Sequence, residues 1–137
     1  MKKQIIEKLI DEAQNSILSS IDEDGYPVCR AMLRFRKREG LKEFYFSTNK
    51  PTNKVKQFCE NCKSSLYFFD KNKFIGCLFV GDVQLLDDMD SRKKVWLEGD
   101  ELYYPGGIGD PDMIVLKFST KKPLRIYSNF RTEEIQP

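Results

Sequence analysis

Polar and cationic residues gather where a predicted strand meets a predicted helix. The apolar run Glu43 to Ser47 is typical of a strand, and it leads to a helix start that carries Thr52, Asn53 and Lys54. A helix N-terminus has unpaired backbone N–H groups and a partial positive charge, so hydroxyl, amide and lysine groups there suit a phosphate. The alternative is a solvated helix start with ordinary capping by Thr52 or Asn53, which is the commoner case.

Four cysteines offer a second candidate chemistry. Cys59 and Cys62 form a C-x-x-C pair, whereas Cys29 and Cys77 stand singly in apolar strand patterns. A structural zinc site would need two more thiolates or imidazoles at suitable spacing. A thioredoxin-like dithiol begins a helix after a strand, but this pair falls at the end of the predicted helix. We therefore expect reduced thiols without a metal or redox role.

The chain contains no histidine. This composition excludes Ser-His-Asp and Cys-His nucleophile systems, a histidine-ligated haem and a histidine general base. Any reaction is therefore expected to depend on a bound cofactor that carries the difficult chemistry.

Length and charge limit the class of protein further. The 137 residues, 40% of them hydrophobic, fit one compact domain spanning 1–137. No stretch approaches the roughly 20 apolar residues of a membrane span, and the N-terminus is a charged amphipathic segment, so we expect a cytoplasmic protein. With 23 basic and 21 acidic residues, the formal charge of +2 gives no strong field toward nucleic acid or an anionic membrane.

The periodicity of apolar residues predicts three helices and about seven strands. The expected helices cover about 2–14, 51–61 and 90–97, the last capped by Asp90 or Ser91, and the expected strands cover 16–21, 26–35, 43–47, 64–69, 74–86, 113–118 and 124–127. Asp24-Gly25 favours a tight hairpin turn, 36–39 is expected as a charged hairpin tip, and 105–111 as an irregular loop. Short turns make neighbouring strands antiparallel, which predicts an α+β, mainly β fold with a closed or nearly closed barrel.

Short segments of the chain follow one another in a specific order and spacing. They are Asp22–Val28, Arg30–Met32, Phe44–Thr48, Lys54-Val55 with Asn61, and Ser65–Phe68, followed by Val80–Val83, Trp96, Tyr104–Gly107 and Asp110–Asp112. The first five resemble the motifs of the pyridoxamine 5′-phosphate oxidase-like, FMN-binding split-barrel superfamily. The later ones are similar to its small bacterial general stress protein 26 group, and the resemblance runs from about Ile6 to Tyr127.

This resemblance implies an antiparallel six-stranded split β-barrel with peripheral helices, a homodimer, and two FMN molecules at the dimer interface. It also implies roles for individual residues. The phosphate would be held by Arg30, Thr52, Asn53 and Lys54, the ring would lie on the strand backbone at Ala31, Met32 and Leu33, and Ser47 and Thr48 would hydrogen-bond the flavin. For Trp96, a contact with the flavin and a role as a core anchor are both open.

Two departures from the family pattern affect the expected function. The family's phosphate motif is often Ser-Arg-Lys, so Thr52-Asn53-Lys54 lacks one guanidinium and its bidentate contact, and modest FMN affinity is expected. The Arg-x-His substrate motif of true pyridoxamine phosphate oxidases is absent from the ending Ile126–Arg131, which argues against vitamin B6 oxidation.

The leading hypothesis is a flavin-dependent oxidoreductase that acts on a small substrate. The alternatives are a non-catalytic flavin-binding or stress-linked sensor protein, a deazaflavin-dependent reductase, and a nucleic-acid-binding barrel that the near-neutral charge disfavours. The loop 105–111 would border the ring face or simply connect strands. Tyr103 and Tyr104 are proton-donor candidates or ordinary packing residues.

Overall fold

The computed structural model describes residues 2–137, which form three α-helices, nine β-strands and two short 3₁₀ turns. The helices are α1 (Lys2–Glu12), α2 (Asn53–Glu60) and α3 (Met89–Val95), and the 3₁₀ turns are Asp100–Leu102 and Gly107–Gly109. The strands are β1 (Asn15–Ile21), β2 (Pro27–Leu33), β3 (Lys37–Glu39), β4 (Glu43–Asn49), β5 (Lys63–Asp70), β6 (Ile75–Leu86), β7 (Met113–Thr120), β8 (Leu124–Ser128) and β9 (Arg131–Ile135).

All nine strands belong to one antiparallel sheet. Its main path runs β2-β1-β5-β6-β7-β4-β3, and β8 adds to β6 and is followed by β9. Burial alternates along β1 and β5, so that β5 turns Ser64, Leu66 and Phe68 inward. The α+β, mainly β antiparallel prediction is therefore confirmed, with six strands of seven or more residues and three shorter ones.

The sheet curls until β2, at one end of its path, approaches β4, the strand next to the other end. Met32 of β2 and Phe46 of β4 enter the same buried cluster as Phe68 and Phe79 of the middle strands. Phe44 lies at the centre of this core, 5.3 Å from the Phe35 ring and 5.0 Å from the Phe79 ring. Within residues 2–137, however, no ladder of backbone hydrogen bonds joins β2 to β4. We call this unpaired boundary the β2–β4 seam.

Three local expectations need correction. The charged segment expected as a hairpin tip contains strand β3, which pairs with β4 in register Arg38↔Phe44. A ninth strand, β9, pairs with β8 after the predicted end of the sheet. Helix α3 is capped by neither Asp90 nor Ser91: Asp88 has the extended backbone of an N-cap residue, and its carboxylate accepts from the Ser91 N–H at 3.0 Å.

No helix among residues 2–137 is long and apolar enough to cross a membrane.

Candidate functional site

A cavity of about 240 Å³ lies along the β2–β4 seam. Strand β2 and the segment after it form one wall, and β4 forms the other. Lys54 of α2 and the two tyrosines after the first 3₁₀ turn contribute the rest. The lining residues are Ala31, Met32, Leu33, Arg34, Arg36, Phe46, Ser47, Thr48, Asn49, Lys54, Tyr103 and Tyr104.

The structure brings most of the predicted site residues together in this cavity. Those that line it are Ala31, Met32, Leu33, Ser47, Thr48 and Lys54. Thr52 and Asn53 directly precede Lys54 at the start of α2, and Arg30 directly precedes Ala31 on β2. None of these three residues lines the cavity itself. Trp96 does not line it either, and it belongs to another part of the chain because it follows α3.

Arg30 is fixed by acceptors of its own chain. Its guanidinium donates to the Leu18 carbonyl oxygen at 3.1 Å, to Ser20 Oγ at 2.8 Å and to Gln57 Oε1 at 3.3 Å. Burial lowers the pKa of this arginine from its ordinary value because it removes water from the charged form. None of the three partners carries a negative charge, so the arginine is oriented without being neutralised.

Lys54 is a further cation beside Arg30, and it lines the cavity together with Arg34 and Arg36. Burial is the main cause that lowers the pKa of Lys54, and the positive charge of Arg30 lowers it further. Neither cation takes part in any of the ion pairs formed within residues 2–137. Two neighbouring, partly desolvated positive charges without a carboxylate partner attract an anion. The anion offsets both their loss of hydration and their mutual repulsion.

The start of α2 adds donors beside these cations. Thr52 stands at the N-cap position with extended backbone, but its side chain makes no capping hydrogen bond. The Thr52 hydroxyl instead donates to the Asn49 carbonyl oxygen at 3.0 Å. The ordinary capping considered as the alternative is therefore not made by Thr52, and the first-turn N–H groups have no side-chain cap.

A largely buried ion pair joins the segment after β2 to the first 3₁₀ turn, on the side of the cavity lined by Tyr103 and Tyr104. Arg36 Nη1 donates to both carboxylate oxygens of Asp100, at 3.0 and 3.1 Å. The Asp100 carbonyl oxygen in turn accepts from the N–H groups of Tyr103 and Tyr104, at 2.9 Å each. The pair spans 64 positions of sequence, so local patterning gives no signal for it. It fixes the 3₁₀ turn that presents both tyrosines to the cavity.

A buried arginine, Arg92, organises the glycine-rich loop that follows these tyrosines. Arg92 Nη1 donates to the carbonyl oxygens of Ile108 at 2.7 Å and Asp110 at 2.9 Å, and Nη2 donates to that of Met113 at 2.9 Å. The carboxylate of Asp87 also accepts from Nη2. One side chain thus connects α3 to the second half of the loop and to the first residue of β7.

Trp96 packs behind the cavity rather than in it. Its ring centroid lies 6.3 Å from that of Tyr104, and it packs half-buried against a second apolar cluster that contains Val95 and Val115. Within its own chain Trp96 is therefore a core anchor, one of the two roles considered from the sequence. Its contact with a flavin stays a prediction.

Together the curled antiparallel sheet, its open seam and the cation pair define a small α+β domain with an anion-compatible cleft. The chain belongs to the pyridoxamine 5′-phosphate oxidase-like family, whose sequence profile matches residues 1–124. No curated protein matches the chain significantly.

Solved structures agree with this family. A Clostridium acetobutylicum protein related to general stress protein 26 of Bacillus subtilis, of the pyridoxinephosphate oxidase family, is 34% identical with a TM-score of 0.87, over 98% of this chain and 93% of that one. General stress protein 26 of Bacillus anthracis is 18% identical, with a TM-score of 0.75 and 98% of each chain covered. A proposed 5-nitroimidazole antibiotic resistance protein of Bacteroides thetaiotaomicron is 15% identical, with a TM-score of 0.72, over 90% of this chain and 82% of that one. The last two show the fold alone.

Proposed function

We propose that the chain is an FMN-binding protein that acts as a flavin-dependent oxidoreductase on a small substrate. The supporting observation is the pair Arg30 and Lys54, two partly buried cations without a carboxylate partner, next to the uncapped start of α2. When bound, FMN supplies hydride and electron transfer, so the chain needs no histidine of its own.

The residues along the seam fit the parts of this cofactor. A phosphate monoester carries close to two negative charges at neutral pH, which matches the two cations. Thr52 and Asn53, at the same helix start, are assigned to the phosphate with them. The β2 backbone from Ala31 to Leu33 lines the cavity and is assigned to the ring, and Ser47 and Thr48 on β4 are assigned to hydrogen bonds with it.

We further propose that a second copy of the chain closes the site. The cavity of about 240 Å³ is smaller than the roughly 300–1,000 Å³ of pockets that bury most of a ligand of this size. Two lining residues, Leu33 and Tyr103, are 68% and 59% exposed and offer apolar surface to a partner. In the proposed homodimer, this surface and Trp96 of the partner copy complete the walls around FMN. The proposed compartment is the cytoplasm, where four free cysteines stay reduced.

The first test is whether the purified protein retains a flavin. The protein is mixed with excess FMN, unbound FMN is removed, and the visible absorption spectrum is recorded for the wild type, Lys54→Ala and Arg30→Ala. We expect retention by the wild type, loss in both variants, and retention by Lys56→Ala, which removes an exposed lysine of the same helix. If the wild type retains no flavin, FMN binding at useful affinity is wrong.

A second measurement separates the catalytic proposal from flavin binding without turnover. The holoprotein is mixed with a nicotinamide donor under anaerobic conditions, and air is then admitted. Bleaching and recovery of the flavin absorbance support the oxidoreductase. Bound flavin that the donor does not reduce favours a non-catalytic flavin protein, and retention of a deazaflavin in place of FMN favours the deazaflavin reductase.

A further inference from the structure

We propose that Gln57 and Ser20 are positioning residues that hold Arg30 by neutral acceptors, and that they thereby make the site selective for a dianionic phosphate monoester. This inference rests on the proposed FMN site and names the feature that distinguishes FMN from the same ring without a phosphate. Neither residue was among those selected from the sequence.

The three side chains form a closed triangle of hydrogen bonds. Ser20 Oγ donates to Gln57 Oε1 at 2.5 Å and accepts from Arg30 Nη2 at 2.8 Å. Arg30 Nη2 also reaches Gln57 Oε1 at 3.3 Å. Ser20 lies on β1 and is 0% exposed, so its hydroxyl has only these partners to satisfy it. The triangle therefore fixes the guanidinium on β2 relative to both β1 and α2.

The position of Gln57 on α2 links this triangle to Lys54. The two residues are three positions apart on the helix, so their side chains share one face. Lys54 lines the cavity, and Arg30 contacts Gln57 one turn further along the same face of α2, so both cations lie at this face. The charge of Arg30 accordingly lowers the pKa of Lys54. Gln57 thus holds the guanidinium on the same face of α2 from which Lys54 enters the cavity.

The uncharged amide of Gln57 leaves the positive charge of Arg30 unpaired. A glutamate has nearly the same shape and would form a stronger, charge-assisted bond to Arg30. It would also cancel the positive charge of Arg30. The charge of Lys54 alone would not balance the two negative charges of a phosphate dianion. Glutamine orients the arginine and leaves its charge available. Selectivity for the phosphate therefore depends on the absence of a carboxylate at this position.

The test compares the binding of FMN and riboflavin to the wild type, Gln57→Glu, Gln57→Met and Lys56→Gln. Lys56→Gln is the matched control, because it lowers the net charge of the same helix by one unit at an exposed neighbouring position. Dissociation constants are measured by flavin fluorescence titration, and circular dichroism reports the fold of each variant.

We expect Gln57→Glu to weaken FMN binding about tenfold or more, because it neutralises Arg30. Riboflavin binding is expected to stay within about threefold, as is FMN binding to the Lys56→Gln control, since an exposed charge is screened. Gln57→Met keeps the volume without the acceptor and is expected to weaken FMN binding selectively. If Gln57→Glu does not fold, the test rests on the Gln57→Met variant. Parallel losses of FMN and riboflavin, or equal effects of Gln57→Glu and Lys56→Gln, would overturn the proposal.

Inorganic phosphate separates this inference from the flavin function. We expect phosphate to raise the melting temperature of the wild type and of Lys56→Gln but not that of Gln57→Glu. If the wild type retains no FMN and this pattern is still found, the anion-selecting triangle stands while the flavin function is wrong. If neither phosphate nor FMN binds, both proposals are wrong.

Discussion

Lys54 carries a positive charge in surroundings that disfavour it. Burial first, and then the charge of Arg30, lower the pKa of its amine below the ordinary 10.5. A lysine with a lowered pKa loses its charge at a lower pH than a free lysine does. An FMN site that depends on this cation is therefore sensitive to alkaline pH.

We accordingly predict that FMN affinity depends on pH in two steps. Affinity rises between about pH 5 and 7, because the second phosphate ionisation has a pKa near 6. It falls at alkaline pH as Lys54 loses its proton. In Lys54→Arg the alkaline fall is reduced, since a guanidinium stays charged throughout. Fluorescence titrations across the pH range measure both steps, and an alkaline fall of equal size in the variant contradicts the role of the lysine.

Arg92 has a structural role that its sequence context does not indicate. It is buried and donates to the carbonyl oxygens of Ile108, Asp110 and Met113. Arg92→Met removes the arginine donors from all three carbonyl oxygens, of which that of Asp110 still accepts from the Met113 N–H at 3.1 Å. We expect a loss of about 2–4 kcal/mol in the free energy of unfolding. Urea denaturation measures the loss. Lys93→Met, at the exposed neighbouring position, is expected to stay within about 0.5 kcal/mol, and an equal loss there would contradict the assignment.

The sequence was sufficient to predict the part of the candidate site that is built from adjacent residues. Thr52, Asn53 and Lys54 lie at a helix start that follows a strand, and both elements are present as expected. The contributions of Arg36 and of Gln57 were not predictable. Arg36 depends on a partner 64 positions away, and a glutamine within a short amphipathic helix looks like any solvated polar residue.

At the scale of elements, the two strands missed by the sequence prediction have specific physical explanations. Strand β3 consists of Lys37, Arg38 and Glu39, which have no apolar alternation to indicate a strand. Arg38 is instead held by Asp11 of α1 through bonds of 2.8 and 2.7 Å. The β8–β9 hairpin turns at Asn129 and Phe130, both with positive φ, where an Asn-Gly sequence would have been the usual signal.

Gly81 allows β6 to pass close to the end of β7. A Cβ at this position would lie 1.9 Å from the Ser119 carbonyl oxygen, a backbone atom that cannot move aside easily. We predict that Gly81→Ala lowers the free energy of unfolding by about 1–3 kcal/mol or more. Gly109→Ala is the control, because nothing lies within 4 Å of its Cβ position. Urea denaturation of both variants checks this, and similar stabilities would show that the close approach has no cost.

At the scale of the molecule, the open side of the cavity determines the expected assembly. We predict that sedimentation equilibrium gives a species of twice the 16.1 kDa of one chain. Leu33→Asp places a charge on the exposed wall of the cavity and is expected to shift the protein toward monomer, with weaker FMN binding. Met89→Asp changes another exposed apolar residue, at the start of α3, and is expected to leave the dimer intact. A monomeric wild type would contradict the proposed assembly.

The β2–β4 seam has a consequence for the motions of the sheet. Strand β2 is paired with β1 along one edge, and its other edge carries no ladder within the described residues 2–137. Amide protons on the paired edge are protected from deuterium exchange, whereas the alternate amides that face the seam exchange rapidly. A ligand seated on this backbone, or a second chain against it, would slow that second set selectively. The exchange pattern of one seven-residue strand is therefore a direct reporter of whether the cleft is filled, whatever the occupant is.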